Sequence, residues 1–166
     1  FATGACRACR ALRPSVIQLV LLFALARSTS GSLQTMSANL PLLLIVDDNP
    51  ENLTVIGELL QPRYRLRAAN GGPRALWLAT VEPQPDLILL DIMMPKISGF
   101  EVCKRIRANP ETRDIGVLMI TALDQPSDIE RAVEAGTDEF LSKPINKNEL
   151  ILRVRSLLRV ARYKEH

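Results

Sequence analysis

Leu42–Val46, Leu87–Leu90 and Ile115–Ile120 are unbroken apolar runs of four to six residues, each closed by polar or turn-forming residues. Runs this short and this uniformly apolar fit strands covered on both faces, as in a parallel sheet flanked by helices. Tyr64–Ala69 reads as a weaker, alternating strand and Glu139–Ser142 as a short fifth. The segments between them carry helix-start signals. Asn49-Pro50-Glu51 supplies an N-cap, a first-turn proline and an acid. Ser98-x-x-Glu101 and Ser127-x-x-Glu130 read as capping boxes, Asn146 caps the last helix, and Gly136 stands where a helix end needs a left-handed residue. Strand and helix thus alternate five times, which predicts an α/β fold: a doubly wound five-stranded parallel sheet with right-handed crossovers.

Ligands of such sheets bind beyond the carboxyl ends of the strands. The polar residues fall there: Asp47 and Asp48 after the first strand, Asp91 after the third, Thr121 after the fourth and Lys143 after the fifth. If the first and third strands are neighbours, three carboxylates converge and repel. A hard divalent cation removes the conflict, and Mg²⁺ suits one or two carboxylates completed by waters and a phosphate oxygen. With Lys143 opposite and a Thr121 hydroxyl, the set resembles a site for a transferring phosphoryl group. Each residue alone has a plainer reading: Asp-Asp as a helix cap, Lys143-Pro144 as a loop. The combination carries the inference.

Other chemistries are excluded by what is missing. His166 is the single histidine, so a histidine triad, a histidine-ligated metal and a phosphohistidine carrier have no residues to use. Cys6 and Cys9 form one C-x-x-C without a second pair, and Cys103 falls on the apolar stripe of a predicted helix. The net charge of +3 misleads: four arginines and no acid precede Met36, leaving 21 − 4 = 17 basic against 18 acidic residues in the remainder. That balance is not the footprint of a nucleic-acid binder.

I-V-D-D-N (Ile45 to Asn49), L-L-D-I-M-M-P (Leu89 to Pro95), S-G-F-E-V (Ser98 to Val102), I-T-A (Ile120 to Ala122) and F-L-S-K-P (Phe140 to Pro144), at these spacings, resemble the receiver domain of two-component response regulators over about residues 40–160. The resemblance implies a flavodoxin-like strand order 2-1-3-4-5. It implies Asp91 as phosphoacceptor, taking its phosphoryl group from a sensor histidine kinase or histidine phosphotransfer protein. Asp48, Asp91 and the backbone carbonyl of Met93 would hold Mg²⁺, with Asp47 acting through a water. Lys143, Thr121 and Ala122 would contact the phosphoryl group, and Phe140 would turn inward as the switch. The molecule would signal rather than catalyse, beyond self-phosphorylation and self-dephosphorylation. An output domain or a homodimer would use the strand 4–helix 4–strand 5–helix 5 face, with no direct nucleic-acid contact expected. The chain departs from the common pattern at Phe140, which lacks the usual hydroxyl, at Met93, and at Ser98, where many relatives carry Asp.

Three rival readings fit the residues less well. An aspartyl-nucleophile phosphatase wants an acid two residues after Asp91, where Met93 stands. A flavin or dinucleotide binder wants a phosphate loop after the first strand, and D-D-N-P-E has the wrong charge. A degenerate receiver, serving only as a docking module, would have no need of the intact acidic set. Residues 1–38 are expected outside the fold, either non-native or signal-like: Ser15–Ala26 is a 12-residue apolar run behind arginines, while Met36 offers a natural start. The chemistry favours a cytoplasmic setting. Residues 161–166 are expected to form a tail, Trp77 to be packed, and the arginines of the last helix to be solvated.

Overall fold

The computed structural model describes residues 40–122 and 126–164; the apolar run at 15–26, the Cys6/Cys9 pair and His166 lie outside the described residues. The elements alternate as expected: β1 (Leu42–Val46), α1 (Pro50–Leu60), β2 (Arg65–Ala69), α2 (Gly72–Thr80), β3 (Leu87–Asp91), α3 (Gly99–Ala108), β4 (Gly116–Thr121), α4 (Pro126–Ala135), β5 (Glu139–Ser142) and α5 (Lys147–Lys164). The five strands are parallel in the order β2-β1-β3-β4-β5. The helix α5 continues past the boundary expected at residue 160.

Alternate residues of each central strand enter two separate cores, the period-two consequence of the pleat. Leu43, Ile45, Leu87, Leu89, Leu118 and Ile120 pack under α1 and α5 against Ile56, Leu60, Leu150 and Val154. Leu44, Val46, Ile88, Leu90, Val117 and Met119 pack on the other face under α2, α3 and α4. Burying each such side chain contributes about 1.5–3 kcal/mol. Both faces are covered, which is why these strands lack a polar alternation.

The caps follow local chemistry. Asn49 Oδ1 accepts from the Glu51 backbone N–H at 2.9 Å, and Asn146 Oδ1 from those of Asn148 and Glu149 at 2.9 and 3.2 Å. Ser98 Oγ accepts from the Glu101 N–H at 3.4 Å, but the Glu101 carboxylate turns to Arg105 at 2.8 Å, so only half of the expected capping box forms. Gly136 has φ +86°, with Gly136 N–H bonded to Val133 and Thr137 N–H to Ala132, a Schellman ending for α4.

Two expectations are corrected. Ser127 does not precede α4: the helix starts at Pro126, because a proline lacks only an N–H that a first helical turn leaves unpaired. Trp77 is 55% exposed rather than packed. The buried stripe of α2 runs through Ala75, Leu78 and Ala79, and Trp77 points away from it, with the Arg74 guanidinium 5.1 Å from its ring centroid. Cys103 is fully buried, as the apolar stripe required, and burial pushes its thiol up to about 11.

Candidate functional site

At the carboxyl end of β1 the apolar run stops and two aspartates leave the sheet in different directions. Asp47 is buried, and Asp48 is exposed. Both carboxylate oxygens of Asp47 are engaged: Oδ1 accepts from the Asn49 N–H at 2.8 Å and Oδ2 from Asn52 Nδ2 at 2.9 Å. Asp91, the last residue of β3, is also buried. Because β1 and β3 are hydrogen-bonded neighbours, a carboxylate oxygen from each of Asp47, Asp48 and Asp91 lies within 4.8 Å of the others.

Lys143 follows β5 and is the cation of this group. Its Nζ is 2.8 Å from Asp91 Oδ1 and 3.5 Å from Asp47 Oδ2. Its backbone N–H is tied to the Thr121 carbonyl at 2.8 Å, which anchors the start of the β5–α5 loop on the end of β4. One ammonium among three carboxylates leaves surplus negative charge. Burial raises the Asp91 carboxyl above its ordinary value; the Lys143 hydrogen bond and charge oppose this, and Asp47 and Asp48 add to the rise. For Lys143 burial pulls downward, but the bond and charge of Asp91, with Asp47 behind it, win, and the ammonium is held above its ordinary value. The carboxylate is therefore strained by its surroundings while the ammonium is favoured. A divalent cation fits this oxygen-only, carboxylate-rich set with an exposed entry at Asp48.

Of the remaining expected residues, Thr121, Ala122 and Met93 lie at the same edge, whereas Phe140 lies further back within β5. Asp91 pairs in register with Ile120, so Thr121, which is buried, stands one residue further along β4, followed by the exposed Ala122. Met93 is 76% exposed, which leaves no acid or other polar side chain at that position. Phe140 lies opposite Met119 and is half-buried against the core under α3 and α4.

Two contributors were not singled out from the sequence. Asn52 lies in the first turn of α1 and fixes the Asp47 carboxylate; its spacing from Asp47 was the available signal. Gly99 opens α3 against the backbone of β3, where an added Cβ would meet the Asp91 carbonyl and stand 2.8 Å from Ile92 Cα. The loop between them turns back through Lys96 at φ +69°, rare for a residue with a side chain, and closes with Gly99 N–H on the Ile92 carbonyl at 2.9 Å. Only a glycine lets α3 start this close to Asp91.

Known proteins are similar to this chain in sequence and fold. The profile of the response regulator receiver domain matches residues 43–155. The chain is 43% identical over 121 residues to the DNA-binding dual master transcriptional regulator RpaA of Synechocystis sp., covering 72% of this chain and 50% of that protein. It is 43% identical over 118 residues to the response regulator PleD of Caulobacter vibrioides, covering 70% of this chain and 26% of PleD. The chain thus spans half or less of these two relatives' lengths. Among solved structures, the receiver domain of a signal transduction histidine kinase from Syntrophus aciditrophicus superposes with a TM-score of 0.67 at 31% identity, covering 72% of this chain and 90% of that one. Chemotaxis protein CheY4 of Vibrio cholerae gives a TM-score of 0.67 at 27% identity, with 71% and 98% covered.

Proposed function

The chain belongs to the response regulator receiver family, and from that premise we propose that Asp91 accepts a phosphoryl group from a phosphohistidine of a sensor histidine kinase or histidine phosphotransfer protein, in a Mg²⁺-dependent reaction that switches a partner-binding surface. Receiver domains are signalling domains. The finer assignment rests on one observation: Asp47, Asp48 and Asp91 converge within 4.8 Å, with Lys143 2.8 Å from Asp91.

The chain's own residues suit these roles. Lys143 engages Oδ1 of Asp91, which leaves Oδ2 as the oxygen open to phosphorus. The new O–P bond forms as the P–N bond to the donor imidazole breaks, and that nitrogen keeps the electron pair. Mg²⁺, when bound, neutralises charge on the phosphoryl oxygens. Asp48 and Asp91, with the Met93 backbone carbonyl, would hold it directly. Asp47 would act through a water, because Asn49 and Asn52 already occupy both of its oxygens. The Lys143 ammonium then pairs with the phosphoryl group, and Thr121 supplies a hydroxyl hydrogen bond to it. Phe140, half-buried and without a hydroxyl, would follow by packing alone. The phosphoryl group biases two arrangements of the β4 and β5 loops. The responding face would be β4, α4, β5 and α5, meeting an output domain or a second copy. A cytoplasmic setting suits the donor; among the described residues no helix is long and apolar enough to cross a membrane.

Intact-mass measurement after acetyl phosphate treatment tests the assignment. One phosphoryl adduct is expected with Mg²⁺ and none with a chelator, and Asp91→Asn should abolish it. An adduct that survives Asp91→Asn moves the acceptor elsewhere. Asp48→Ala should weaken Mg²⁺ binding far more than Thr121→Ala; equal effects would remove Asp48 from the ligand set.

A further inference from the structure

The opposite edge of the sheet carries a second concentration of charge that phosphorylation does not use. Pro41 before β1, Tyr64 before β2, and Arg155, Leu158, Arg159 and Arg162 on α5 line a cavity of about 240 Å³. In a parallel sheet these positions lie at the starts of the strands, away from Asp91 at a strand end.

Arg155, Arg159 and Arg162 follow at spacings of four and three, so they share one helix face. Arg153 on the same helix is neutralised by Glu139 at 2.8 Å and Glu149 at 3.5 Å. The three cavity arginines form no ion pair among the described residues. Like charges at this spacing cost a helix about 0.2–0.5 kcal/mol per pair. The helix dipole favours cations near a carboxyl end and accounts for basic residues here. It does not account for three exposed arginines lining one concavity together with Leu158, Pro41 and the largely buried Tyr64. Guanidinium groups present planar donor pairs that match phosphate oxygens, and they do so best where apolar walls reduce solvent. Arg155 and Arg162 are seven residues apart, about 10 Å along the helix at 1.5 Å per residue, a reach that suits two linked phosphoryl groups.

We propose that this cavity binds a small molecule carrying a diphosphate group, held by Arg155, Arg159 and Arg162. The group could come from inorganic diphosphate or from a nucleoside diphosphate, and the shared chemistry is the pair of linked phosphoryl groups. Isothermal titration of the full chain, with a chelator present to keep divalent ions from the acidic site, tests this. Inorganic diphosphate should bind saturably, and Arg155→Gln with Arg159→Gln should weaken it by at least about tenfold. Asp91→Asn and Arg105→Gln should leave binding unchanged. Arg155→Lys, which keeps the charge and loses the donor fork, should weaken it by a smaller factor. A nucleoside diphosphate that binds more tightly than inorganic diphosphate, or one that binds equally, supports the site and identifies the source. No saturable heat at about 1 mM diphosphate would overturn the proposal. So would equal losses in the Arg105→Gln control, or tighter binding of an acidic peptide than of diphosphate.

Discussion

Two aspartate–cation pairs stand at opposite edges of the same sheet with nearly the same separation and opposite consequences. At the strand starts, Asp138 Oδ2 meets Arg107 Nη2 at 2.7 Å and also accepts from the Val117 N–H at 2.8 Å. Arg107 spends its other donors on backbone carbonyls: Gly136 at 2.8 Å, and Arg113 and Ile115 at 2.6 Å each. It thereby joins α3, the loop before β4 and the end of α4. At the strand ends, Asp91 meets Lys143 at 2.8 Å, but Asp47 and Asp48 crowd the same space. Ion-pair distance therefore does not separate a balanced pair from one crowded by further acids. The local charge balance does. One acid for one cation, with four of the five guanidinium N–H groups bonded, makes a staple. Three acids for one cation make a site that wants a further positive charge.

The largest expected effect breaks the staple. Arg107→Ala would strand three carbonyls and the Asp138 carboxylate, at a cost of about 3 kcal/mol in urea unfolding. A loss below about 1 kcal/mol would show that water replaces the guanidinium freely. The comparison sharpens when each acid is neutralised in turn. Asp138→Asn should destabilise by about 1.5 kcal/mol, since a charge-assisted bond is lost from a balanced pair. Asp91→Asn should do the reverse without divalent ions, raising stability by about 1 kcal/mol as one of three crowded charges disappears. Equal destabilisation by both changes would mean that the two edges do not differ in kind.

The sequence made the acidic edge readable and left the staple hidden, for a physical reason. Asp47, Asp48, Asp91 and Thr121 close apolar runs, so the pattern of burial itself points to them, and Lys143 follows the short fifth strand. The strands were legible for the same reason, as were the caps at Asn49 and Asn146, where a short side chain answers backbone two or three residues away. Arg107 sits in an arginine-rich helix end, and its partners are mostly carbonyls, which carry no residue identity. Gly99 could be placed in a motif, but its close approach to Asp91 is a tertiary fact. Trp77 shows the converse error: a large ring suggests packing, yet small neighbours already fill that stripe of α2.

The smallest effect is the most direct probe of surplus charge at the acidic edge. Asp91 in the fold sits above its ordinary 3.8, chiefly through burial. A group whose folded value is raised holds its proton more tightly in the native state than in the unfolded chain. Stability contributed by that proton is present at low pH and falls as pH rises from about 4 through the raised value. The wild-type chain, in chelator, should therefore lose stability relative to Asp91→Asn across that window and then run parallel to it. The slope for one proton is at most about 1.4 kcal/mol per pH unit. Urea unfolding of both proteins between pH 4 and neutrality reads the difference directly. If the wild-type chain instead gains on the variant as pH rises, Lys143 outweighs burial and the two neighbouring acids, and Asp91 joins Asp138 as half of a balanced pair.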